Sequence, residues 1–221
     1  SNSMFKYGSF RNFIIKFIVG SIFFGFGLIY LLSLYSYSPN DPGYQNFNEQ
    51  IISVNTDGPF SIFVSDLDGD GDMDVLAGCR DGDRVTWFEN DGSQGFTEQI
   101  ISTNTPNVMS VFVADVDGDG DMDVLAASNE ENKVAWYEND GNQIFTEQVI
   151  STNASGVRPV HATDLDGDGD IDVISGSVGD GKIIWYENDE SQLFTEHLIH
   201  TNWGVTDLFT VDIDSDGDMD I

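Results

Sequence analysis

The chain has 221 residues, with 39 acidic against 8 basic side chains and a formal net charge of −31. So acidic a surface excludes nucleic acid as a partner of the soluble part, because a phosphate backbone demands a basic one. High net charge can mark disorder, but 40% hydrophobic and 12% aromatic residues supply enough apolar surface for a packed core.

Ser1-Asn2-Ser3 precede Met4 and read as an upstream remnant. Residues 1–16 form a basic N-terminus carrying Lys6, Arg11 and Lys16. No charge then occurs from Phe17 to Ser38, 22 residues that would span about 33 Å as a helix. The first charge beyond it is Asp41, so the positive-inside rule puts the N-terminus in the cytoplasm and the remainder outside. The expectation is one transmembrane helix or signal anchor over 17–38, a linker over 39–46, and a periplasmic or cell-surface remainder. The rival reading is a cleaved signal peptide and a secreted chain. A cut after Ser36 and Ser38 would leave Pro39 next, which signal peptidases disfavour.

The exit from this segment, Ser36-Tyr37-Ser38-Pro39-Asn40-Asp41-Pro42, resembles the end of the first membrane helix of FtsK-type DNA translocases. The likeness covers residues 4–45 and implies a fusion of two unrelated pieces near Gln45. No Walker-type phosphate loop occurs downstream, so it does not imply a DNA motor.

From Phe47 the sequence repeats. Phe47–Ser53 returns as Phe96–Ser102, Phe145–Ser151 and Phe194–His200, while Trp87, Trp136 and Trp185 recur every 49 residues. Within one period four short strands are expected: Ser61–Ser65, Asp74–Gly78, Arg84–Glu89 and Phe96–Ser102, separated by Asp/Gly turns. Four strands in a period of this length is a propeller blade. The fold class is therefore all-β, a β-propeller of four-stranded blades over 47–221 with about 3.5 repeats in an incomplete ring. Phe47–Val54 is expected as the outermost strand of a blade, and self-association through exposed blade edges is expected.

Between the first and second strands of each period lies a nine-residue loop with aspartate at every other position. The four loops hold Asp66, Asp68, Asp70, Asp72 and Asp74; Asp115, Asp117, Asp119, Asp121 and Asp123; Asp164, Asp166, Asp168, Asp170 and Asp172; and Asp212, Asp214, Asp216, Asp218 and Asp220. Five carboxylates so close together repel one another unless a cation sits among them, and an all-oxygen donor set suits a hard divalent ion, Ca²⁺. Four such ions would still leave the chain at −23. An EF-hand also begins Asp-x-Asp-x-Asp-Gly but needs a glutamate at position twelve and flanking helices. Here position twelve is Ala77, Ala126 or Ser175 and strands flank the loop, so the closing carboxylate moves to position nine. Side chains one, three and five supply the others, and Gly71, Gly120, Gly169 and Gly217 make the turn. The seventh residue offers its backbone carbonyl, with its side chain expected to point to solvent.

Asp-x-Asp-x-Asp-Gly-x-x-Asp at the head of a Val-Leu-Ala-Gly strand resembles the FG-GAP repeat, also described as VCBS-type, over about residues 47–221. That resemblance implies a β-propeller, as in integrin α-subunits and many bacterial secreted proteins, with Ca²⁺ loops joining the first two strands of each blade. The repeats here are shorter than integrin ones and lack a literal Phe-Gly…Gly-Ala-Pro signature, so integrin-style ligand binding is not carried over.

Other residues read as scaffold. The Trp-(Phe/Tyr)-Glu-Asn-Asp segments keep a strict period, which favours packing between blades over a sugar-binding aromatic set. Cys79 stands where later repeats have Ser128 and Ser177, a small strand residue. His161 takes the place of Phe63, Phe112 and Phe209; His197 and His200 replace Gln and Ser and have no partner in view. No nucleophile elbow or zinc motif is present. The expected function is a non-enzymatic, calcium-stabilised binding or adhesion module for a protein or glycan. The alternatives are the propeller part of a secreted polysaccharide-active enzyme and an N-terminal fragment of an FtsK-type translocase fused to unrelated repeats.

Overall fold

The computed structural model describes residues 50–93, 95–189, 191–201, 204–214 and 219–221. The expected membrane segment 17–38, its flanks 1–16 and 39–46, and the start of the repeat at 47–49 lie outside the described residues. Among those described, no helix is long and apolar enough to cross a membrane. The chain divides into two units, Ser1–Gln50 and Ile51–Ile221.

The second unit is all-β. Its strands are β1 (Pro59–Ser65), β2 (Asp74–Cys79), β3 (Arg84–Asn90), β4 (Phe96–Ser102), β5 (Val108–Ala114), β6 (Asp123–Ser128), β7 (Lys133–Asn139), β8 (Phe145–Ser151), β9 (Val157–Thr163), β10 (Asp172–Ser177), β11 (Lys182–Glu187) and β12 (Thr195–Thr201). They form three four-stranded sheets in simple meander order, β1-β2-β3-β4, β5-β6-β7-β8 and β9-β10-β11-β12, every pair antiparallel. This arrangement is consistent with propeller blades.

The turns arise from local chemistry. Asp91 Oδ1 accepts from the Ser93 and Gly95 amides, both at 2.8 Å, folding the β3–β4 turn. Asp140 and Asp189 do the same in the next two sheets. A register shift recurs early in the third strand of every sheet, between Val85 and Thr86, Val134 and Ala135, and Ile183 and Ile184. Such bulges add right-handed twist to a sheet.

The core lies between sheets. Leu67, Leu76, Val85 and Trp87 of the first sheet pack against Val111, Val113, Ala126 and Tyr137 of the second. Val116, Leu125, Val134 and Trp136 repeat the contact against Val160, Ala162, Val173 and Tyr186 of the third. In both junctions a Leu/Trp face of one sheet thus meets a Val/Ala/Tyr face of the next. Trp87 and Trp136 are buried and serve this packing; Trp185 is half-buried.

The first strands of the sheets are neighbours. Ser61 Oγ accepts from the Val111 amide at 3.1 Å, and Ser110 Oγ from the Val160 amide at 3.3 Å. Along them the rings of Phe63, Phe112, His161 and Phe209 stack with centroids 4.7, 4.4 and 6.0 Å apart. His161 therefore fills a packing position, and burial lowers its pKa below 6.5.

One expected element differs. Gln50–Val54, the described part of the expected outer strand, carries no strand. An outer strand needs a third strand to pair with, and among the described residues none precedes it.

Candidate metal centre

Each of the first three aspartate loops leaves the end of a first strand and enters the second strand of the same sheet, so sheet pairing fixes both ends; the fourth is bracketed by the isolated bridge between Val211 and Asp220. The ninth aspartate is the anchor. Asp74 Oδ2 accepts from the Leu67 amide at 3.0 Å and its Oδ1 from the Asn90 amide at 2.8 Å. Asp123 does the same with Val116 and Asn139, and Asp172 with Leu165 and Asn188. Asp220, in the fourth loop, accepts from the Ile213 amide at 3.0 Å. Asp74, Asp123 and Asp172 are each only 1% exposed.

The other loop carboxylates shape the turn. Asp66 Oδ2 accepts from the Gly71 amide, which lets the chain fold back over its own first residue. Asp68 and Asp70 each accept from the amide two residues on, at 3.2 and 2.8 Å. Gly71, Gly120 and Gly169 have φ of 96°, 99° and 104°, a left-handed region closed to most side chains.

These turns gather carboxylate oxygens. Asp66, Asp68 and Asp70 can each offer an oxygen within 4.8 Å of the others, as can Asp115, Asp117 and Asp123; Asp164, Asp166 and Asp172; and Asp212, Asp214 and Asp220. Positions one and three belong to every cluster, and position nine to three of the four. The structure does not bring all four expected side chains of a loop together. The first cluster omits Asp74, and the second and third omit Asp119 and Asp168, which are exposed and accept from the amide two residues on. Asp216 and Asp218 lie outside the described residues.

The seventh residues correct the expectation of a solvent-facing side chain. Asp72, Asp121 and Asp170 join no cluster but are half-buried. Asp72 Oδ2 lies against Gly92 and Asp121 Oδ2 against Gly141, so closely that a Cβ on either glycine would collide with it. These carboxylates brace the β3–β4 and β7–β8 turns.

The clusters fit a hard cation. Asp66 Oδ1 and Asp115 Oδ1 are buried and accept no hydrogen bond, a costly arrangement unless a cation takes those lone pairs. Burial pushes the pKa of Asp68, Asp74, Asp117 and Asp172 above 3.8, and neighbouring loop carboxylates push the same way. Asp123 goes furthest, to about 7: burial outweighs the two amides it accepts from, and Asp117 and Asp119 add to the rise. The donors are all carboxylate oxygens, a set that suits Ca²⁺, Mg²⁺ or Mn²⁺ over softer metals.

Two sets of supporting residues were not anticipated. Asn90, Asn139 and Asn188 donate from Nδ2 to the carbonyls of Met73, Met122 and Ile171, clipping the loop's end to the third strand. Asn188 also reaches the Val116 carbonyl at 3.1 Å, joining the third site to the second loop. Their signal was the recurring Glu-Asn-Asp after each tryptophan. The second is the partner of His197, whose Nε2 meets Glu187 Oε2 at 2.5 Å while its ring lies 4.7 Å from Trp185. Gln99–Glu89 and Gln148–Glu138 occupy the same cross-strand places in the earlier sheets.

Beside the second loop is a cavity of about 240 Å³ lined by Asp117, Trp136, Glu138, Gln148, Val149, Ser191, Gln192 and Phe194. It lies where the second sheet meets the β11–β12 turn of the third.

Stacked four-stranded meanders, each with a carboxylate loop between its first two strands, define a repeat protein whose aspartate loops could hold metal ions. The sequence family described as FG-GAP-like repeat matches residues 66–126, 115–175 and 164–221, and the chain belongs to that family. No curated protein matches the sequence. Among solved structures, a crystal structure of a protein from Lactobacillus plantarum is similar at 13% identity and a TM-score of 0.47. The match covers 65% of this chain and 42% of that one, so the chain spans less than half its length.

Proposed function

We propose that this chain is a calcium-stabilised β-propeller module, displayed outside the cytoplasm, that binds a protein or glycan surface without catalysing a reaction. The observation that carries the calcium reading is the pair of buried, partnerless oxygens on Asp66 and Asp115, each within a cluster of carboxylates. Ca²⁺ tolerates irregular, oxygen-rich loops with variable ligand number, whereas Mg²⁺ demands a tight octahedron and keeps its waters. The ion's role is structural: it cancels carboxylate repulsion at the point where each loop re-enters its sheet, so binding energy becomes folding energy.

The propeller reading is supported by sheets that stack face to face with neighbouring first strands. Display outside the cytoplasm rests on the basic residues ahead of the uncharged run 17–38. The binding reading is supported by the cavity beside the second metal loop, where Glu138 and Gln148 offer polar atoms against an aromatic wall. The test is a titration of metal-stripped protein with Ca²⁺ and Mg²⁺ separately, read by calorimetry. Saturation by Ca²⁺ at concentrations where Mg²⁺ gives no heat supports the reading, and equal affinity or no binding removes it. Glycan-array binding that is lost in Gln148→Ala tests the ligand side.

A further inference from the structure

Asn188 touches two aspartate loops at once. Its backbone amide donates to Asp172 Oδ1 at 2.8 Å, and Asp172 belongs to the third carboxylate cluster. Its side-chain Nδ2 donates to the Ile171 carbonyl of that loop at 3.1 Å and crosses, also at 3.1 Å, to the Val116 carbonyl of the second loop. That carbonyl lies in the peptide bond between Val116 and Asp117, and Asp117 shares the second cluster with Asp115 and Asp123. The Val116 amide in turn donates to Asp123 Oδ2 at 2.9 Å. Hydrogen bonds therefore run from one cluster to the next through Asp172, Asn188, Val116 and Asp123. All four residues are buried, so water does not replace a bond lost among them. Asn90 and Asn139 hold the corresponding places, but their Nδ2 atoms donate to Met73 and Met122, each within its own sheet.

We propose that the second and third loops bind Ca²⁺ cooperatively, with Asn188 as the positioning residue that couples them. The inference rests on the calcium reading of the loops. Residues behind a ligand orient it, and Asn188 stands behind ligands of both clusters. When Asp172 is fixed in an occupied third cluster, the Asn188 backbone is fixed with it. The Asn188 side chain then holds the peptide before Asp117, and Val116 holds Asp123. Part of the ordering that the second cluster needs is thereby complete before its own ion arrives, which raises its affinity. Coupling of this kind is reciprocal, so an occupied second cluster raises the affinity of the third by the same factor.

The test is calorimetric titration of the metal-stripped 221-residue chain with Ca²⁺ in mild detergent. Asp66→Asn, Asp68→Asn, Asp212→Asn and Asp214→Asn together give a parent in which the second and third loops report alone. Its isotherm is steeper than that of two independent sites. Adding Asn188→Ala removes the steepness. Adding Asn139→Ala, which breaks the matching bond inside the second sheet, leaves it; a merely structural role would move both variants alike. Disabling the third loop with Asp164→Asn and Asp166→Asn weakens the second by roughly fivefold or more, and Asp115→Asn with Asp117→Asn weakens the third by the same factor. If the parent does not fold in Ca²⁺, Asn188→Ala and Asn139→Ala are compared in the otherwise wild-type chain, where only the first lowers the steepness. Independent sites in the parent, or an Asn188→Ala isotherm as steep as its parent's, overturn the coupling and leave the calcium reading standing. No heat from the parent or the wild-type chain removes both.

Discussion

Asp123 Oδ1 accepts the backbone amide of Asn139 at 2.8 Å, and the Asn139 side chain returns a hydrogen bond to the Met122 carbonyl at 3.1 Å. This reciprocal clip joins the end of a metal loop to the third strand of its sheet, sixteen residues away. The same pair recurs as Asp74–Asn90 and Asp172–Asn188. In the second and third loops the ninth aspartate is therefore both a cluster member and a fastening between strands, and the two roles separate by mutation.

Replacing Asp123 with Asn leaves a carbonyl to accept one amide but removes a charge from the cluster with Asp115 and Asp117. Calorimetric titration should find one cation fewer per chain. Asp121→Asn, at the seventh position outside the cluster, should keep full stoichiometry and lose only bracing of the Gly141 turn. Asn139→Ala should keep the ion and destabilise the fold by about 1 kcal/mol, the ordinary net worth of one hydrogen bond.

The metal-free protein should lose stability as pH rises. The folded pKa of Asp123 is about 7 against 3.8 for an ordinary aspartate, so the folded state holds a proton that the unfolded chain has released. Stability from this group is full below pH 3.8 and falls as pH climbs through about 7, and Asp68, Asp74, Asp117 and Asp172 shift in the same direction. Bound cation reverses the slope, because protons then compete with the ion for the same oxygens. Melting curves of stripped and loaded protein between about pH 4 and 8 should therefore tilt in opposite senses.

Much of this was legible in the sequence because a 49-residue period repeats every signal. The strands beginning at Asp74, Arg84 and Phe96 start where expected, since Asp/Gly turns and β-branched runs mark them on both sides. The loops were equally plain, as aspartate at every other position recurs four times. What escaped was partnership across strands. The fastening by Asn90 and the pairing of His197 with Glu187 depend on register, which no single segment reveals. The half-buried seat of Asp72 depends on Gly92, twenty positions on in another turn, and spacing alone gives no view of it. Gln50–Val54 has the composition of an outer strand, and among the described residues no strand pairs with it.

Trp136 is 3% exposed between the second and third sheets. Trp136→Ala should cost about 3–5 kcal/mol and lower the chemical denaturation midpoint sharply. The same change at half-buried Trp185 should cost clearly less, and equal losses would contradict the packing described.

His161 interrupts a stack otherwise made of phenylalanine. Its lowered pKa means that the half-buried neutral ring contributes stability above pH 6.5 that is lost as pH falls through its folded pKa. His161→Phe should remove that acid-side loss and raise stability by about 1 kcal/mol through a restored aromatic pair.

The central claim is that cations in the aspartate loops hold the sheets together, and thermal melting in chelator tests it most directly. A single site saturated at about a hundred times its dissociation constant adds about 2.7 kcal/mol, so several sites should move the midpoint by many degrees. The account predicts a midpoint that drops sharply in chelator and returns on adding excess Ca²⁺. A melting curve unchanged by chelator would contradict it.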